Sequence, residues 1–291
     1  FDEDGLKRTT KTRYKAFVKL VLDDAVTKGL IPSNPIYQFP KGTFGQSNFK
    51  AQTFKITEIQ ELLSKLETSD DIIAKLVIIA SHLALRREEI LGFKWSQIDF
   101  EEKKISLRTS IIDISPKIDK KDILKRYDSV NEIYITNGKR HVVEQNVLKT
   151  QESASVMPLS DYIIDILKEI KKETDNNRKL FGNCYDNRFD DFVFVRPDGF
   201  IVTPTYLSNH FPILLKKYNI KKIRFHDLRH TTATLLLKEG WSLKHVQEWL
   251  RHSDAQTTAK FYLHTDDEEL VKVGSSIENM YGGTGTIRSK A

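Results

Sequence analysis

Apolar residues along this chain recur mostly every three or four positions, and only in short stretches do they alternate with polar ones. Tyr14, Phe17, Val18, Val21 and Ala25 fall on one helical face, with Lys11, Lys15, Lys19 and Lys28 elsewhere on the turn, and Gly29 ends that helix. The following "LIPSNPIYQFPKGTFGQSNFK" carries Pro32, Pro35 and Pro40 without apolar periodicity, which predicts an extended linker and a domain boundary. Thr57 and Gln60 form a capping box ahead of Ile59, Leu62, Leu63 and Leu66, so a helix opens the second domain.

Further on, Ile105 and Leu107 alternate with polar neighbours after "DFEEKK", and "SASVMPL" is a short apolar run closed by Pro158; both predict strands. Between them residues 113–146 form a long charged insertion in which Asn137-Gly138 signals a β-hairpin. Helical spacing returns through Tyr162, Ile163, Ile166, Leu167 and Ile170, and "FVFVRPDGFI" predicts a hairpin around Pro197, Asp198 and Gly199. Thr203 with Pro204 starts another helix, Gly240 ends one, and Ser242 caps the helix containing Val246 and Trp249. Leu270, Val271, Val273, Ile277 and Met280 predict a short apolar helix in the tail. The expected fold is α+β, mainly α, with a small antiparallel sheet.

Composition narrows this picture only slightly. A chain of 291 residues with 39% hydrophobic content can build one large domain or two modest ones. Its 46 Lys and Arg against 40 Asp and Glu leave a net charge of +6, which favours an anionic partner such as nucleic acid without identifying one. Cys184 is alone, which excludes a disulfide framework and a cysteine metal site and fits a reducing cytosol. The most apolar run, Leu76 to Leu85, is about half a membrane span and is interrupted by Ser81 and His82. No signal peptide is visible and the first residue is Phe1, so a fragment of a longer protein is expected.

Metal-free transfer of a phosphodiester requires fixed positive charge where the transition state accumulates negative charge, and guanidinium matches phosphate oxygens in shape. Arg86 follows the apolar run, where a solvated charge is not expected, and Glu89 three residues later can orient it. His226 and Arg229 are also three apart, so on a helix they share a face and reach one phosphate. By residue type alone, His226 equally suits packing at a helix start, His230 a structural role, and His252 the capping region made by Ser253 and Asp254. Tyr262 is one of 10 tyrosines, and Lys149 is as anonymous among the lysines. The segment "HTTATLLLKEGWSLKHVQEWLRH" also suits a non-enzymatic helix-turn-helix DNA binder, although that reading leaves Arg86 and Lys149 without a purpose.

Taken in order, "ALRREE", "KTQESASVMPL", "HDLRH", "LRH" and "TTAKFYLH" resemble the motifs of the tyrosine recombinases, the family of phage and conjugative-transposon integrases. Those motifs are G-L-R-x-x-E, a Lys before a strand ending in Pro-Leu, H-x-L-R, L-G-H and then a Tyr. The resemblance covers nearly all of residues 55–265. It implies a helical catalytic domain over 54–265 with the β-hairpin insertion at 113–146, a remnant of a helical core-binding domain at 1–32, an interdomain linker at 33–53, and a tail at 266–291 that docks in trans. It also implies that Arg86, Lys149, His226, Arg229 and His252 surround the scissile phosphate, supported by Glu89, while Tyr262 attacks it to form a 3′-phosphotyrosyl link.

On the same resemblance no cofactor and no metal are needed. The partners are double-stranded DNA with specific recombination sites, a homotetramer on two duplexes, and accessory DNA-bending or excision factors, with no membrane; the setting is the bacterial cytoplasm at the nucleoid. Type IB topoisomerases resemble the family in catalytic constellation but relax supercoils instead of joining duplexes. Two positions depart from the motifs: Ala84 and Arg251 stand where glycine is usual.

Overall fold

The apolar run that precedes Arg86 forms the central helix of the larger of two compact units. In the computed structural model, residues 8–38, 52–115, 117–127, 129–136, 140–146 and 155–251 are described. The chain divides into Phe1–Ala51 and Gln52–Ala291. Lys149, His252, Tyr262, the Asn137-Gly138 turn, most of the linker and the tail lie outside the described residues.

In the first unit, helix α1 (Arg8–Thr27) ends where Gly29 takes a left-handed φ of 71° and Leu30 N–H donates to Ala25 O at 2.9 Å. The next residues are not extended. Asn34 is buried, and its Nδ2 donates to Lys19 O at 3.1 Å and Asp23 Oδ1 at 2.7 Å, folding the segment back onto α1 before a 3-10 turn over Pro35–Gln38. A proline at the first position of that turn loses no bond, since its N–H would be unpaired there in any case.

In the second unit, α2 (Ile56–Glu67) and α3 (Ile72–His82) pack together, with Leu62, Leu66, Leu76, Val77 and Ile79 fully buried. The cap of α2 is Lys55, two residues before the expected one: its N–H donates to Glu58 Oε2 at 2.7 Å, so a glutamate at the third helical position closes the turn. Lys75 is buried within α3 and pairs with Glu173 of α6 (Asp161–Phe181), which keeps a charged group in the interior tied to a partner. Helices α4 (Arg87–Leu91) and α7 (Pro204–Lys217) add Ile90, Phe211 and Leu214 to the same core. Thr203 Oγ1 caps α7 by accepting from Tyr206 N–H at 3.1 Å.

Two small antiparallel sheets form instead of one. Strands β1 (Ile98–Asp99), β2 (Lys104–Leu107) and β6 (Ser155–Pro158) run in the order β1-β2-β6, with Ile105 opposite Met157 and both buried. Strands β3 (Thr109–Ile114), β4 (Val130–Thr136) and β5 (Arg140–Asn146) run in the order β3-β5-β4, and a further helix, α5 (Lys120–Arg126), lies between β3 and β4. This second sheet is fastened by a buried carboxylate: Glu144 accepts from Lys94 Nζ at 2.7 Å, Tyr134 Oη at 3.1 Å and Asn131 Nδ2 at 3.2 Å. At the end of α4, Gly92 passes so close to β3 that any Cβ would lie 2.1 Å from Thr109 O, so the backbone contact itself demands glycine. Among the described residues, no helix is long and apolar enough to cross a membrane.

Two helices complete the unit. Helix α8 (Phe225–Lys238) lies against α3, where Thr232 Oγ1 donates to Ser81 O at 2.8 Å. Gly240 turns the chain at φ 91°, Ser242 caps α9 (Leu243–Leu250), and Ala84, Ala233, Val246 and Leu250 form a small separate cluster beneath the turn.

Candidate phosphate-binding site

Three chain corners meet at one point, and each has a local reason for its shape. The first follows α3. Ala84 adopts φ 48°, and Leu85 N–H reaches back to Ala80 O at 3.1 Å, the hydrogen bond of a helix that ends in a left-handed residue. Glycine is favoured at such a position because a Cβ costs on the order of 1–2 kcal/mol there. Ala84 accepts that strain where the recombinase motif has glycine. The corner then delivers Arg86 as the cap of α4, its N–H donating to Glu89 Oε2 at 2.9 Å and its Nη1 to Glu89 Oε1 at 2.5 Å.

The second corner opens α8. Arg224 N–H donates to Asp227 Oδ2 at 3.0 Å, and its guanidinium also holds the buried Asp227 carboxylate. This fixed start places His226 on the surface and Arg229, one turn along, in the interior at 2% exposure. Arg229 Nη1 donates to Ala84 O at 2.6 Å and Nη2 donates to Leu250 O. The third corner follows α9, where Arg251 takes φ 53° and ψ 45° and its Nη2 donates to Glu89 Oε2 at 2.8 Å. Glycine would suit that backbone better, for the same reason as at Ala84.

Glu89 is therefore the common anion of three guanidinium groups, with Arg229 Nη1 3.9 Å from its Oε2. Burial pushes its carboxyl upward, but Arg251 and Arg86 outweigh that and hold it below the usual glutamate range. Burial and then the charge of Arg86 pull the Arg229 guanidinium down, and burial likewise lowers Arg251. The two buried arginines are short of negative charge, and an incoming phosphate oxygen would supply it. His226 is lowered by desolvation and by Arg229, and it stands perpendicular to His230 with ring centroids 4.6 Å apart.

The structure thus brings together Arg86, Glu89, His226 and Arg229; Lys149, His252 and Tyr262 belong to undescribed segments. Reasoning from motifs missed the carbonyls of Ala84 and Leu250, which carry no sequence signal. For Arg251, standing where glycine is usual, the sequence suggested crowding of the site or a phosphate contact, whereas its Nη2 holds Glu89.

Residues 52–269 match the phage integrase family. Over 284 residues the chain is 26% identical to a protein of Caldanaerobacter subterraneus subsp. tengcongensis named tyrosine recombinase XerC-like, covering 96% of this chain and 68% of that protein. It is 26% identical over 223 residues to transposase A from transposon Tn554 of Staphylococcus aureus, covering 75% of this chain but only 50% of that one. Among solved structures, the Tn1549 transposon integrase in complex with transposon right-end DNA superposes with a TM-score of 0.70 at 19% identity, over 94% of this chain and 81% of that one, a likeness of fold.

The histidines set a pH dependence. Burial, then the neighbouring His226, lowers His230 from 6.5 to about 4. Between these values the unfolded chain binds a proton that the folded chain does not, so stability is fully present above the unfolded pKa and falls as pH drops from 6.5 towards about 4. Urea unfolding across this range should show that slope, and His230→Gln should flatten it. An unchanged slope in the variant would contradict the assignment to His230.

Proposed function

The chain belongs to the phage integrase family, and we propose that it acts as a site-specific recombinase of a mobile element, cleaving and rejoining DNA strands through a covalent phosphotyrosine. The observation that carries this reading is the pair Arg86 and Arg229 converging on Glu89, a cationic site with buried guanidinium short of counter-charge. Such a site stabilises the extra negative charge of a pentavalent phosphorane. The relatives' names and the DNA bound to the Tn1549 integrase support duplex DNA as the substrate.

In this mechanism the Tyr262 hydroxyl oxygen attacks the phosphorus, the bond to the 5′ oxygen breaks, and the tyrosine proton passes to His226. Desolvation by the neighbouring groups and the positive charges of Arg229 and Arg224 lower the His226 pKa, which favours the neutral imidazole that takes that proton. Lys149 protonates the departing 5′ oxygen, and His252 hydrogen-bonds a phosphate oxygen. A 5′ hydroxyl from the partner duplex then attacks the phosphotyrosine, restores the tyrosine and joins the strands, so bond energy is conserved in the link.

Residues 1–32 belong to a core-binding domain, 33–53 link it to the catalytic domain at 54–265, and 113–146 are an insertion whose lysines and arginines suit a DNA backbone. Four protomers assemble on two duplexes in the bacterial cytoplasm, with the tail at 266–291 of each filling a groove of the next. The groove that fits it lies beside α9, a cavity of about 670 Å³ whose lining includes Val156, Pro158, Leu236, Trp241, Val246 and Trp249. Its apolar walls match Leu270, Val271, Ile277 and Met280 of the tail.

Tyr262→Phe should abolish covalent adducts on nicked duplexes taken from the element's ends, while leaving duplex affinity nearly unchanged, since one oxygen is removed. Adduct formation by that variant would overturn the mechanism. Deleting residues 267–291 should leave single-site binding intact and reduce the four-protomer complex in gel shifts with paired sites. Normal assembly by the truncated chain would remove the tail from the interface.

A further inference from the structure

Glu89 serves arginines from two different corners. Its Oε1 accepts from Arg86 Nη1 at 2.5 Å, while Oε2 accepts from the Arg86 N–H at 2.9 Å and from Arg251 Nη2 at 2.8 Å. The Arg251 side chain is 12% exposed against 39% for Arg86, so Arg251 is committed to the interior and Arg86 keeps donors facing outward. Potentials add, so a second buried guanidinium on the other oxygen partly cancels the carboxylate's attraction for the first and repels it.

The backbone makes the presence of this side chain more informative. Arg251 sits at φ 53° and ψ 45°, a left-handed conformation that glycine adopts without strain. An arginine gains nothing there for the turn itself. It is instead anchored by contacts beyond the turn, with Nη1 donating to Trp249 O at 3.1 Å and lying against the Met157 thioether. Arg229 is spoken for by the carbonyls of Ala84 and Leu250, so the charge balance of Glu89 rests chiefly on Arg86 and Arg251.

We infer that Arg251 is a positioning residue for strand cleavage: by holding Glu89 Oε2 it keeps the carboxylate fixed yet weakens its hold on the Arg86 guanidinium, leaving Arg86 free to engage the scissile phosphate. The inference rests on the recombinase reading and concerns a residue that stands where that family's motif has glycine. Arg251 acts through Glu89 and Arg86 and does not itself transfer a proton or attack phosphorus. The loss of Arg251 therefore slows chemistry while sparing the fold and most of the duplex affinity.

The test is single-turnover formation of the covalent adduct by the full chain on a nicked duplex from the element's ends, with melting temperature and duplex affinity measured in parallel. Arg251→Gly should slow adduct formation by roughly tenfold or more, the scale of one charge-assisted hydrogen bond, with a melting temperature equal to or above the parent's. Arg251→Lys, which keeps a cation near Glu89, should recover much of the rate. In a Glu89→Gln background the Arg251→Gly change should have little further effect, because no carboxylate charge remains for Arg251 to hold and offset. An Arg251→Gly protein that reacts at the parental rate, loses the same factor in both backgrounds, or melts well below the parent overturns the inference. A parent protein that forms no adduct sinks the recombinase reading and the inference with it, whereas a reactive parent beside an equally fast variant sinks the inference alone.

Discussion

The geometry of the site depends on one buried guanidinium. Arg229 is 2% exposed and uses its two terminal nitrogens to hold Ala84 O and Leu250 O, which belong to corners 145 and 21 residues away in sequence. A planar fork with fixed donor directions can satisfy two carbonyls at once, whereas an ammonium on a flexible stem cannot hold that shape. Because Ala84 leads directly to Arg86, and Leu250 directly to Arg251, clamping those two carbonyls sets where both other arginines emerge. The left-handed residues at Ala84 and Arg251 are the backbone counterpart of the clamp, turning each helix end into the site.

Electrostatics follow from that arrangement. Three guanidinium groups share the Glu89 carboxylate, which is buried and held ionised by them. Removing the carboxylate would strand buried positive charge, and adding a phosphate relieves it, so the same imbalance that weakens the empty site favours the anion-bound one. His226 and His230 lie in the same positive field, and desolvation together with their charged neighbours lowers both pKa values, which favours the neutral rings. A neutral imidazole can accept a proton; an imidazolium cannot.

Local chemistry was legible in the sequence wherever it was local in space. Thr203-Pro204, Ser242 and Gly240 marked the helix ends found for α7, α9 and α8, and alternation at Ile105 and Leu107 marked β2. The Arg86 to Glu89 contact was readable too, because a spacing of three brings both onto one helical turn. What could not be read was decided at long range. One local choice was also missed, since the cap of α2 went to Lys55 with Glu58 over Thr57 with Gln60, two overlapping pairs of equal spacing. The charged insertion hides helix α5, and a second sheet is held by Glu144 to Lys94, fifty positions away in sequence. The proline-rich segment after α1 folds back because Asn34 finds Asp23 and the Lys19 carbonyl, a contact that periodicity does not encode.

Arg229 couples the Ala84 and Leu250 corners, and amide hydrogen exchange measures that coupling most directly. Comparing the parent with Arg229→Lys, protection should fall together in residues 83–92 and 243–251 while α6, which Arg229 does not touch, keeps its protection. Unchanged exchange in both corners, or a loss spread evenly through α3, α6 and α7, would contradict that coupling.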